Sequence, residues 1–220
     1  MNAGLILAGG SSERLIAYDT PKQFIEVGGR MIISYCLRTF EQCPDIDVIC
    51  VVADKSWRSQ IGNYIFADPG DSRQQSIYNG LLALKASSPN CVVVHDAARP
   101  CVTVQNISDY IKAADEYDGS TPYLPVTETI YRSFNAKTIA GTLNRDELLI
   151  GQTPECYDFE PYLAANEKYV DMLGDFHGSS ELAVKSGMKI ALAKGNPDNF
   201  KITTNADLEK FKSIINGEQG

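Results

Sequence analysis

The sequence contains no apolar run near the ~18 residues that a membrane span requires, although 44% of its 220 residues are hydrophobic. No membrane partner is therefore expected. It has no CxxC pair, and its six cysteines stand apart at positions 36, 43, 50, 91, 101 and 156. Scattered thiols inside apolar stretches point to reduced, packed cysteines in a cytoplasmic protein, not to zinc or a disulfide framework. No basic segment precedes the first apolar run, so no signal peptide is expected. Nor is there a surplus of cations. The net charge of −8 argues against a nucleic-acid partner. Any anionic ligand must be held by a local group of cations working against the overall field.

Two phosphate-binding signatures are missing as well. GxxxxGK[ST] does not occur, and Gly9-Gly10 is not followed by the third glycine of GxGxxG. The second absence disfavours a redox enzyme on a nicotinamide cofactor. No repeat, low-complexity segment or nucleophilic Ser or Cys constellation is apparent.

What is present is alternation. Apolar runs over residues 4–7, 47–53, 91–95 and 189–193 read as buried strands. Helical spacing of apolar side chains marks residues 31–40, 76–86, 105–117, 181–186 and 206–215. The pattern predicts an α/β fold, with a Rossmann-like, mostly parallel sheet and helices on both faces. Residues 1–220 are expected to form a single domain. Residues 127–143 are rich in Thr, Ile and Tyr around Asn135-Ala136, and predict a β-hairpin inserted over 126–147. Such a hairpin needs support, either as an edge of the same sheet or as an arm pairing with a second subunit.

In open α/β sheets ligands sit beyond the carboxyl ends of the strands, and four stretches fall there. After the first strand, Ala8-Gly9-Gly10-Ser11-Ser12 offers backbone N–H groups to phosphate oxygens. Arg14 and Lys22 follow, and Pro21 stiffens the backbone that carries the lysine. Gly70-Asp71-Ser72-Arg73-Gln74-Gln75-Ser76 enters a helix with Ser76 near its N-cap, where an anion gains up to ~1 kcal/mol. His95-Asp96-Ala97-Ala98-Arg99 follows the third strand. Asp96 is placed to hold Mg²⁺ with one carboxylate plus substrate phosphates. His95 reads as a packed or hydrogen-bonded strand end. Residues 198–204 add Lys201.

These residues resemble a known family. LAGGSSERL, TPKQF, GDSRQQSIYNGL, VVVHDAARP, PVTETI, NRDELLIGQTP and NFKITTNADL occur in the order found in the alditol-phosphate cytidylyltransferases. The resemblance covers nearly the whole chain. It implies CTP and a small alditol phosphate as partners, and Mg²⁺ on Asp96. It implies catalytic roles at the triphosphate for Arg14, Lys22 and Lys201. Ala8, Gly9, Gly10, Gly70, Asp71, Ser76 and Ala97 would bind CTP. Arg99, Thr129, Arg145 and Thr153 would read the acceptor. The hairpin would be an arm exchanged across a homodimer.

The chain departs from the family's usual residues at several positions. Glu155 follows Thr153-Pro154 where glutamine is usual, and residues 175–181 (DFHGSSE) replace a Thr-Asp pair before the late helix. The LAGG loop and Gly151 resemble the ribitol branch. Ribitol 5-phosphate is therefore the expected acceptor, giving CDP-ribitol for surface polysaccharide. The alternative is the methylerythritol phosphate enzyme of isoprenoid synthesis. A non-catalytic nucleotide-binding subunit is disfavoured because Lys22, Asp96 and Lys201 are all present.

Overall fold

The computed structural model describes residues 1–10 and 20–217. The chain runs through β1 (Asn2–Leu7), a small ribbon of β2 (Glu26–Val27) and β3 (Arg30–Met31), α1 (Ile32–Gln42), β4 (Val48–Val52), α2 (Lys55–Ile61), β5 (Ile65–Ala67) and α3 (Arg73–Leu84). It continues through β6 (Cys91–Asp96), α4 (Val104–Ala113), β7 (Gly119–Pro125), β8 (Ile130–Arg132), β9 (Gly141–Leu143), β10 (Leu149–Gly151) and β11 (Glu155–Asp158). The last elements are α5 (Phe159–Lys168), α6 (Ser179–Lys185), β12 (Ile190–Lys194) and α7 (Asn205–Gly217).

Strand β1 is central, with β4 and β6 parallel on either side and β5 beyond β4. Strand β11 runs antiparallel between β6 and β7, and β12 lies parallel to β7. The sheet is thus mostly parallel, as expected, with one internal antiparallel strand that periodicity did not reveal. ECYD is too short to announce its direction.

Side chains alternate across the sheet as the pleat requires. Leu5, Cys50, Val52, Val92, Val94 and Tyr157 face one core with α3, α5 and α6. Ile6, Val51, Cys91, Val93 and Cys156 face the other with α1 and α4. Both faces are covered, which is why these strands read as continuous apolar runs. Each fully buried Leu, Ile or Val contributes about 1.5–3 kcal/mol. The six cysteines are free thiols, five of them buried. Among the described residues, no helix is long and apolar enough to cross a membrane.

The hairpin forms over residues 130–143. Strands β8 and β9 pair with each other and not with the main sheet. Asn135 Oδ1 closes the turn by accepting from the backbone N–H of Lys137 and Thr138, and Ala136 takes a positive φ of 55°. The base of the arm is antiparallel, with β7 against β10.

The expected N-cap at Ser76 is corrected. Helix α3 begins a turn earlier, capped by Ser72, whose Oγ accepts from Gln75 N at 3.0 Å. Ser76 sits inside the first turn and turns its hydroxyl back to Gly70.

Candidate active site

The chain leaves β1 for β4 on one side and later returns to β6 on the other. Strand order therefore reverses beside β1, where a crevice opens beyond the strand ends. Leu7 and Asp96, the last residues of β1 and β6, are direct neighbours across the ladder. A cleft of about 440 Å³ lies there. Gly9, Gly10, Lys22, Gly70, Asp71, Arg73, Ser76, Asp96 and Lys201 are among the residues lining it.

Each wall has a local cause. The glycine loop is held from behind by Gln23, whose Nε2 donates to Ala8 O at 2.6 Å and Gly10 O at 3.1 Å. A Cβ on Gly9 would come within 2.6 Å of Pro69 Cβ, so only glycine lets the loop approach the facing wall. In that wall, the backbone N–H of Gly70 donates to Ser76 Oγ at 3.0 Å. The N-terminus of α3 opens onto the cleft and favours anions.

Asp96 is the electrostatic centre. Its Oδ1 accepts from Arg73 Nε at 3.1 Å and faces Arg73 Nη2 at 3.0 Å, while Oδ2 accepts from Lys201 Nζ at 2.7 Å. Burial pushes its pKa up, but Arg73, Lys201 and Arg99 together outweigh burial and hold it well below the usual carboxylate range. The site therefore keeps a carboxylate ionised beside cations able to meet a polyphosphate.

Lys201 reaches Asp96 because its loop is tied down on both sides. The N–H of Ile202 donates to Ala98 O at 2.8 Å. Asn199 Nδ2 donates to Thr153 O at 2.7 Å. Beyond the loop, Asp207 accepts from Thr203 and Thr204 at the start of α7.

His95 is fully buried behind the site, as the sequence suggested. Its Nε2 meets Arg99 O at 3.0 Å and its Nδ1 meets Thr153 Oγ1 at 3.3 Å. Burial pushes its pKa down to about 4. It is neutral at pH 7 and is not poised as a base.

The structure brings together Gly9, Gly10, Lys22, Gly70, Asp71, Ser76, Asp96 and Lys201. Ala8 and Ala97 are buried just behind them, and Ala97 N donates to Leu7 O at 3.0 Å. Thr153 is buried, and its Oγ1 accepts from the N–H of Asp96 at 3.2 Å. Arg99 donates Nη1 to Asn199 O at 2.9 Å. Thr129 and Arg145 are exposed on and beside the arm and do not line the cleft. Arg145 Nη1 donates to Thr127 O at 2.8 Å. Arg14 lies outside the described residues.

Sequence reasoning assigned no role to Arg73 or Gln23. Arg73 is the first residue of a helix whose start had been placed at Ser76, which hid it. Gln23 adjoins Lys22, but nothing in the sequence says which carbonyls a buried amide will reach.

The donor set suits Mg²⁺. One buried carboxylate with lone pairs to spare, facing a cleft sized for a nucleotide, is the arrangement in which phosphates complete the coordination. Among the described residues there is no cluster of three or more His, Cys, Asp or Glu side chains that would cage a metal without substrate.

A family model described as IspD: 2-C-methyl-D-erythritol 4-phosphate cytidylyltransferase matches residues 3–217. The chain is 34% identical over 99% of its length to a bifunctional IspD/IspF enzyme of Mesorhizobium japonicum, and covers 56% of that protein. It spans little more than half the length of the bifunctional relatives it matches. A 2-C-methyl-D-erythritol 4-phosphate cytidylyltransferase of Neorickettsia sennetsu is 31% identical, with 97% of this chain and 96% of that protein covered. The crystal structure of a 4-diphosphocytidyl-2C-methyl-D-erythritol synthase from Anaerococcus prevotii superposes with a TM-score of 0.83 at 25% identity, covering 98% of this chain and 96% of that one. The Neorickettsia and Anaerococcus proteins carry the methylerythritol name, and none of the proteins named here carries a ribitol one.

Proposed function

The chain belongs to the 2-C-methyl-D-erythritol 4-phosphate cytidylyltransferase family, and from that premise we propose that it transfers CMP from CTP to 2-C-methyl-D-erythritol 4-phosphate. The observation that carries this reading is the ionised Asp96 clamped by Arg73 and Lys201 at the floor of the cleft, with Lys22 on its wall.

An oxygen of the acceptor's phosphate attacks the α-phosphorus of CTP. A new P–O bond forms, the bond to the β-phosphate bridge breaks, and pyrophosphate leaves. A phosphate monoester is a competent nucleophile near neutral pH, so no general base is required. The protein's task is to bring two polyanions together in line and offset developing charge. Lys22, Lys201 and Arg73 supply positive charge, and Arg14 is proposed to join them. The glycine loop and the start of α3 offer N–H groups. Asp96 would hold Mg²⁺, which when bound offsets the charge of the phosphate oxygens.

Arg99, Thr129 and Arg145 are proposed to read the acceptor. Thr129 and Arg145 would do so across a homodimer, completing a neighbour's site. The arm supports this: Phe134, at 85% exposure, and Ile139 and Tyr131 stand bare on it, and an isolated hairpin gains stability by packing on a partner. A cytoplasmic location fits the free thiols.

The test is pyrophosphate release from CTP and Mg²⁺, with methylerythritol 4-phosphate and ribitol 5-phosphate in parallel reactions. Preference for the first is expected. Preference for the second would return the protein to the ribitol branch, and release with neither would remove the proposed transfer.

A further inference from the structure

Beneath the cleft floor runs a line of polar side chains that the transfer, as written, does not use. Glu155 opens β11 and is buried. Its Oε1 accepts from Ser180 Oγ at 2.7 Å and Thr121 Oγ1 at 3.3 Å. Its Oε2 accepts a hydrogen bond from Ser179 Oγ and lies 3.7 Å from Arg73 Nη2. Ser179 in turn accepts from Arg73 Nη1 at 2.9 Å. The guanidinium of Arg73 is thus held between two buried carboxylates, Glu155 directly and through Ser179 on one side, Asp96 on the other.

The geometry on the Asp96 side is unusual for such a pair. Arg73 Nε donates to Oδ1, and Nη2 lies 3.0 Å from the same oxygen. The favoured fork would give each oxygen its own donor. The other edge of the guanidinium is held by Ser179, which accepts from Nη1, and by Glu155, and a guanidinium held there does not spread its fork over Oδ2. That oxygen accepts from Lys201, whose ammonium is a single point charge.

A neutral residue at position 155 would leave Asp96 as the only carboxylate facing Arg73. The guanidinium would then turn fully onto Asp96 and occupy lone pairs that a metal–nucleotide complex needs.

We propose that Glu155, acting with Ser179, is a positioning residue that anchors Arg73 and keeps the Asp96 carboxylate open to magnesium–nucleotide. The metal half of this rests on the proposed transfer, whereas the anchoring of Arg73 does not.

Two readouts separate them. In protein labelled with ¹⁵N, the Arg73 Nε–H resonance is identified by its loss in Arg73→Lys. In the wild type it is expected to be sharp and slow to exchange with water. Glu155→Gln, and more weakly Ser179→Ala, should broaden it and speed its exchange. In calorimetric titration of CTP, Glu155→Gln should raise the Mg²⁺ concentration for half-maximal binding by about 10-fold, as loss of a residue behind a metal ligand does. Unchanged exchange at Arg73 in both variants overturns the anchoring. Faster exchange with an unchanged Mg²⁺ midpoint overturns the link to the metal. A wild type that binds no CTP at any Mg²⁺ concentration counts against the transfer and the metal link, while the resonance still decides the anchoring. If Glu155→Gln does not fold, Ser179→Ala decides both, because it keeps the buried charge and removes the hydrogen-bonded link between Glu155 and Arg73.

Discussion

Lys201 Nζ lies 2.7 Å from Asp96 Oδ2, although 105 positions separate them in the chain. The pair exists because Ile202 is tied to the turn after β6 and Asn199 to Thr153. A cation held this way enters the cleft at a fixed height above the carboxylate. Lys201→Ala should therefore leave the fold intact and lower kcat by about 10²-fold, the scale of one lost charge-stabilising group. Steady-state kinetics with CTP checks this, and a kcat within a factor of two of wild type would take Lys201 out of the reaction.

Lys22 approaches the same cleft from the glycine-loop side. Replacing it by alanine should lower kcat/KM for CTP about 10²-fold, with the circular dichroism spectrum unchanged. Near-normal kcat/KM would mean that Lys22 only solvates the rim.

His95 gives a prediction about pH. Its pKa is pushed from 6.5 down to about 4 by burial, so between those values the unfolded chain binds more protons than the folded one. Stability must then fall as pH drops from about 6.5 to about 4, by up to about 1.4 kcal/mol per pH unit from this group. Urea unfolding across that range should be flatter in His95→Gln. Equal slopes in the two proteins would show that His95 does not titrate on unfolding.

The start of α7 has the opposite sign. Hydrogen bonds from Thr203 and Thr204 outweigh a partial burial and lower Asp207 from 3.8 to about 2. The stability this carboxylate contributes is complete above pH ~4 and is lost as pH falls toward 2. Thr204→Ala, which removes the hydroxyl accepting from Asp207 N at 3.2 Å, should cost about 1 kcal/mol at pH 7. Because the cap carries the loop of Lys201, the KM for CTP should rise in the same variant. Thermal unfolding and kinetics measured together test the coupling.

Arg145→Ala should weaken use of the acceptor more than of CTP. A measured acceptor KM and kcat equal to those of the wild type would remove the arm from the site.

Much of the fold was legible because both faces of the sheet are covered. Leu5, Val51 and Val93 therefore lie in unbroken apolar runs, and α1 and α4 show one apolar face each. The pairing of β11 between β6 and β7 was not legible, since short strands carry no sign of their direction. Of the residues lining the cleft, Gly9, Gly10, Gly70 and Asp96 were singled out because they stand at or just beyond strand ends, and Lys22 because Pro21 stiffens the backbone that carries it. Arg73 was missed because a helix start inferred from Ser76 placed it in a loop.

The sequence by itself determined the layered α/β architecture, the glycine turn after β1 and the carboxylate at the end of β6. These are local matters of backbone freedom and of the spacing of apolar side chains. Only the tertiary structure decided that Arg73 would bridge Asp96 and Glu155, and that Lys201 would close the other side of Asp96. Those contacts join segments that meet only after the sheet has assembled. Hydrogen-bond geometry between segments far apart in the chain depends on strand order and loop anchoring, which no local pattern carries.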